Sequence, residues 1–237
     1  MTAHQRYGAD VLRALLFGIG TAAPLVVGAA IGLRWTLPKR VLAALMAFGA
    51  GTMVAAASEE LFGPAFEVGP VVLVGAALLA GATVYVVANH QLESRFGVAA
   101  AGWALMLGAI LDGVPENTAL GVSMSEGALA LLVAIAVGNT PEAIGSAAIL
   151  KADPKIGAGR GLLMWTGVGV VLIVVTVLAN LAADSVGSSS IAVTQAFAGG
   201  ATIAVLADTL MPEAYEDGGW WVGLATTFGF FTAYLLG

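Results

Sequence analysis

The chain has 237 residues, of which 59% are hydrophobic and only 10% charged, with 32 glycines and no cysteine. A soluble domain carries about a quarter charged residues, so an ordinary water-soluble globule is excluded. Nine Lys and Arg against 15 Asp and Glu exclude a basic nucleic-acid binder, and without cysteine there is no disulfide, zinc–thiolate site or thiol redox centre.

What remains is a small, all-α, polytopic membrane protein. A bilayer core requires about 20 mainly apolar residues per helix. Such stretches fall at 14–33, 41–62, 70–89, 99–123, 127–150, 161–183, 191–212 and 219–236, predicting eight transmembrane helices. The first follows Arg6 and Arg13 but is too long for the apolar core of a signal peptide, so it reads as a retained span. Within it Gly28 and Gly32 have the small-xxx-small spacing that lets two helix backbones approach. The last stretch is uncharged and just long enough to cross. The connections are short, so residues 1–237 read as one transmembrane domain.

Basic residues set the expected orientation. Arg34, Lys39, Arg40, Arg95, Lys151, Lys155 and Arg160 fall on one side, leaving Arg6 and Arg13 on the other. The positive-inside rule then puts the first group in the cytoplasm and both termini outside, in a multi-pass cell-membrane protein. His90 with Glu93, the outer Glu67, and the inner Glu213, Glu216 and Asp217 read as solvated loop residues.

The spans repeat. A shift of 149 positions lays the first three on the last three, matching Phe48, Gly51, Ala55, Glu59 and Leu61 with Phe197, Gly200, Ala204, Asp208 and Leu210. With two spans between the sets, matched helices run in opposite directions. Inverted repeats of this kind, here about 10–90 and 160–237 flanking a central 99–150, place a transporter's site near the midplane. The two central spans also match each other, Asp112-Gly-Val-Pro-Glu116 with Gly138-Asn-Thr-Pro-Glu142.

Acids outnumber bases inside the spans. Glu59, Glu60, Asp112, Glu116, Glu142 and Asp208 lie within or at the ends of spans, and no Lys or Arg lies deep in any of them. An ionisable group near the bilayer centre costs at least about 2.5–3.5 kcal/mol on insertion scales. Such acids must be protonated, hydrated, or neutralised by a cation that the chain does not supply. Asp112 and Glu116, four apart, share a helix face, as do Asn139 and Glu142, three apart. Pro115 and Pro141 each remove an amide hydrogen and disturb the carbonyl four residues back, which is tolerated at that depth where backbone lines a cavity. A cation-accepting site is therefore expected between the fourth and fifth spans. The competing reading, two kinked helices with neutral, hydrogen-bonded acids, makes the same residues packing elements.

At these motifs the sequence resembles the ZIP (Zrt/Irt-like protein) family of divalent metal transporters. Asp112-Gly-Val-Pro-Glu-Asn117 is similar to that family's fourth-span motif and Gly138-Asn-Thr-Pro-Glu-Ala143 to its fifth. The stretches Phe48-Gly-Ala-Gly-Thr-Met53 and Asp208-Thr-Leu-Met-Pro-Glu-Ala214 are similar to the family's second and seventh spans. The resemblance implies eight helices in a 3+2+3 inverted arrangement and extracellular termini. It implies Asp112, Glu116, Asn139 and Glu142 as ligands. Asp208 and Glu59, symmetry mates flanking the centre, are expected as secondary or pathway residues, with Asn117 beside Glu116. Where the family has histidine and asparagine this chain has Asp112 and Gly113; Gly138 replaces a frequent ligand, and the sixth span has no glutamate. One well-occupied metal, or a primary and a weak site, is what this reduced set implies.

The expected function is transport of Zn, Fe or Mn as substrate, by alternating access and inward, with oxygen ligands favouring Mn and Fe. No enzyme activity and no cofactor are expected. The expected partners are divalent cations and the bilayer, and a homodimer is compatible with this reading. The alternative is a proton- or sodium-coupled carrier of another solute using the same acids. A metal-dependent hydrolase lacks its requirements, since no span contains histidine.

Overall fold

Uninterrupted apolar stretches between short polar turns have one stable outcome in lipid, the α-helix, because every backbone amide must be satisfied within its own segment. A computed structural model describes residues 3–96, 101–124, 129–151, 156–183, 185 and 187–236. Among them there are helices and no strand. In chain order they are α1 (Ala3–Arg34), α2 (Lys39–Ala56), α3 (Gly63–Val68), α4 (Val71–Phe96), α5 (Ala101–Val122), α6 (Leu129–Lys151), α7 (Ala158–Ala183), α8 (Ser188–Val205), α9 (Met211–Gly218) and α10 (Val222–Leu236). A π-helical segment joins α2 to α3 at Ala57–Phe62, and another joins α8 to α9 at Leu206–Leu210, so each pair forms one long rod.

Six stretches of the described residues are long and apolar enough to cross a membrane: Asp10–Arg34, Lys39–Val68, Val71–Gln91, Leu131–Ala148, Ala158–Ala183 and Ser188–Gly218. The protein is an all-helical membrane protein. Two of the eight expected spans fall short of that count. Val222–Leu235 is apolar but shorter, and part of α5, at residues 101–108, has side chains outside the described residues. Large apolar side chains such as Val72, Leu163 and Leu224 face outward, as lipid requires. Trp35 and Trp220 stand exposed at the same end as Arg34 and Lys39, an aromatic and basic rim. There Lys39 at the start of α2 donates to Asp217 of α9.

The π segments have a local cause. Pro64 and Pro212 sit in the first turns of α3 and α9 and have no amide hydrogen for the carbonyl four residues back. The ladder widens just before each: Gly63 N–H reaches Ser58 O, and Met211 N–H reaches Leu206 O, five residues back in both cases. Pro115 and Pro141 behave differently. Helices α5 and α6 run on through them, so the irregular backbone lies in the α2–α3 and α8–α9 rods and not at the Pro–Glu motifs where sequence directed attention.

Close packing follows the glycines. A side chain at Gly28 would run into the Thr140 carbonyl of α6, and one at Gly32 into the Ile144 carbonyl, so the expected close approach on α1 is made. Four further contacts come in corresponding pairs. Gly51 abuts the Thr226 carbonyl and Gly200 the Leu78 carbonyl; Gly229 abuts the Phe48 carbonyl and Gly81 the Phe197 carbonyl. Thus α2 packs on α10 as α8 packs on α4, and α1 on α6 as α7 on α5. Helices α2 and α8 begin at Lys39 and Ser188 and give way to π turns at Ala57 and Leu206, each 149 positions apart.

Candidate functional site

Helix α5 brings Glu116 into the interior. The residue is 3% exposed, and its Oε1 is buried without any hydrogen-bond donor among the described residues. Its surroundings explain why. It faces a narrow cavity lined by Met53 and Ala57 of the α2 rod, Leu61 of the π segment, Ala134 and Ile135 of α6, and Thr202 of α8. The Thr202 hydroxyl donates to its own helix, at Ala198 O, and so does not serve the carboxylate. A carboxylate held among apolar groups costs several kcal/mol unless a proton or a cation accompanies it.

Glu142 on α6 is half-buried and near enough to Glu116 for their like charges to interact. It lies within electrostatic reach of Glu213 on α9 in turn, and Glu213 within reach of Glu216 and Asp217. Glu213, expected from sequence to be solvated, is exposed on α9. Asn139 is buried, and its Nδ2 donates to the Thr21 carbonyl of α1 at 3.3 Å, which anchors the side chain. The carbonyl of Val137, which Pro141 cannot serve, lies beside Gly49 of α2. Asp112 lies one helical turn before Glu116 on α5, and its side chain is outside the described residues. Among the described residues no group of three or more His, Cys, Asp or Glu is arranged to hold a metal ion. The expected set is thus represented by two carboxylates and Asn139.

The secondary residues depart from expectation. Asn117 is fully buried, and its Oδ1 accepts from the hydroxyls of Thr21 at 2.7 Å and Thr176 at 2.9 Å. Its Nδ2 donates to Gly113 O at 2.9 Å. Asn117 is occupied in tying α5 to α1 and α7 and has no lone pair turned to the cavity. Glu59 and Asp208 both sit on π segments, both are exposed, and neither lines the Glu116 cavity. The widened turn rotates them outward while Leu61 and Leu210 turn in. Sequence reasoning passed over Thr21, Thr176 and Gln195, buried polar side chains that bridge helices; a lone Gln in an otherwise apolar span was the available signal.

Compared with known proteins, the chain matches no family model and no curated protein sequence.

Proposed function

We propose that the protein is a carrier of divalent transition-metal cations of the Zn, Fe and Mn class, moving them into the cytoplasm through the cavity at Glu116. The observation that carries this reading is the buried Glu116 Oε1, given no donor among the described residues, with a second carboxylate in electrostatic range. A divalent ion between the two would remove both the desolvation cost and the repulsion. Glu116, Glu142, the Asn139 oxygen and Asp112 supply a hard, oxygen-rich set, which suits Mn and Fe better than a thiolate or imidazole site would.

The architecture belongs to the same proposal. Eight spans in a 3+2+3 inverted repeat, with both termini outside, account for the corresponding glycine contacts and the rods that break 149 residues apart. They also account for the basic and aromatic rim at one end. The motif resemblance to ZIP transporters supports the same substrate class. Uptake of Mn or Zn into cells should be lost in Glu116→Ala and Glu142→Ala while both variants reach the membrane. Uptake equal to the unaltered protein in both would remove the assignment.

A second reading has its own support. Because no three-residue metal cluster is found among the described residues, the same carboxylates suit a proton- or sodium-coupled carrier. That reading requires uptake to follow an imposed sodium or pH gradient, with no saturable Mn or Zn binding.

A further inference from the structure

A second cavity lies apart from the one at Glu116. It opens at the end of the bundle that carries Val68, Val122 and Ser188, and its wall includes Pro64, Ser123, Ile191 and Gln195. Gln195, on α8, is 3% exposed at the floor of this vestibule. Its Nε2 donates to Ser123 Oγ, on the turn that ends α5, at 2.8 Å, and makes a longer contact of 3.4 Å with the Glu60 carbonyl. That carbonyl is the one Pro64 cannot serve. One amide therefore links three rods: α8, the end of α5 and the π segment after α2.

Two turns further along α8, Thr202 lines the Glu116 cavity. The buried apolar cluster that includes Ala119, Leu120 and Ala198 shares Leu61 with the wall of that cavity. At the opposite end of the bundle the corresponding rods are tied differently, by Lys39 of α2 and Asp217 of α9. The counterpart of Gln195, 149 positions earlier, is the buried Met46, whose thioether has no hydrogen to donate. The correspondence between the two ends is therefore broken at Gln195, whose amide bonds Met46 cannot make.

We propose that Gln195 is the latch that keeps the vestibule closed from Glu116. Exposure of the acid to the vestibule side begins when its amide leaves Ser123 and the Glu60 carbonyl. Gln195 is thus a positioning residue that holds the vestibule end of the bundle shut. The proposal rests on the carrier reading, but its test does not require transport.

The chain contains no cysteine, so a single introduced thiol reports access without background. Ile191→Cys, at the vestibule, identifies the membrane side from which a charged, impermeant methanethiosulfonate reagent enters. Ala57→Cys, in the Glu116 cavity, is then labelled from that side in three backgrounds: unaltered, Gln195→Leu and Ser123→Ala. Loss of a buried hydrogen bond should raise the Ala57→Cys labelling rate on the order of tenfold in Gln195→Leu and less in Ser123→Ala. Rates within twofold across the backgrounds would overturn the latch. Should Gln195→Leu fail to accumulate, Ser123→Ala removes the same bond from its other end and decides alone. Mn uptake is followed in parallel. Faster labelling in a protein that never takes up Mn keeps the latch and removes the metal carrier, whereas Mn uptake with unchanged labelling does the reverse.

Discussion

Glu116 and Trp165 are two buried polar side chains whose orphan atoms ask for different explanations. Trp165 lies fully buried between α1 and α7 neighbours such as Leu25 and Leu172, and its Nε1 has no acceptor. It packs in an apolar cluster with Ala109, Ala143 and Leu150, so it acts as bulk. Trp165→Phe should change stability by less than about 1 kcal/mol, and Trp165→Ala should cost about 3–5 kcal/mol, read from thermal unfolding in detergent. Glu116 differs because its orphan oxygen opens on a cavity and a second acid is near. Glu116→Met, which fills similar volume without a polar atom, should raise stability by about 1–3 kcal/mol while abolishing uptake. A protein destabilised by this change would show that the acid is satisfied by a partner within the fold. At this scale the sequence was half informative. That acids lacked bases could be counted, but which of them pointed inward depended on helix rotation. Asn117 and Glu116 are neighbours in sequence, yet one binds α1 and α7 and the other faces the cavity.

Among the elements, close packing depends on a few glycines whose positions are set by opposing carbonyls. Gly51→Ala and Gly200→Ala would each drive a methyl into a backbone oxygen of the neighbouring helix, at Thr226 and Leu78. Neither neighbour is a flexible side-chain tip, so each substitution should cost about 3 kcal/mol or more. Gly167→Ala, where nothing lies within reach, should be neutral or stabilise by about 0.5–1 kcal/mol through helix propensity. Thermal unfolding of the three variants separates the classes. The approach of α1 at Gly28 and Gly32 was legible because spacing alone encodes it. The π segments were not: Pro64 and Pro212 could be seen, but whether a proline kinks, widens or is absorbed by a helix depends on its packing. Pro115 and Pro141 are absorbed within α5 and α6. The outward rotation of Glu59 and Asp208 follows from that same widening, which is why pairing them by the repeat found the symmetry but not the exposure.

Across the whole molecule, helix contacts recur in corresponding pairs, and a departure from that correspondence marks one end. Matching glycine contacts pack α2 on α10 and α8 on α4 in the same way, whereas one end is tied by the buried Gln195 amide and the other by the Lys39–Asp217 pair. Apolar length and charge placement were enough to read an all-helical membrane protein from composition. Protons and metal ions should compete for the same carboxylates, so Mn binding should weaken as pH falls and recover as it rises. The most direct measurement is an equilibrium titration of the purified protein with Mn and Zn, by calorimetry, beside the double variant Glu116→Gln/Glu142→Gln. Saturable binding by the unaltered protein, lost in the double variant, is the predicted result. Binding that survives removal of both carboxylates, or no binding by either protein, would contradict the account.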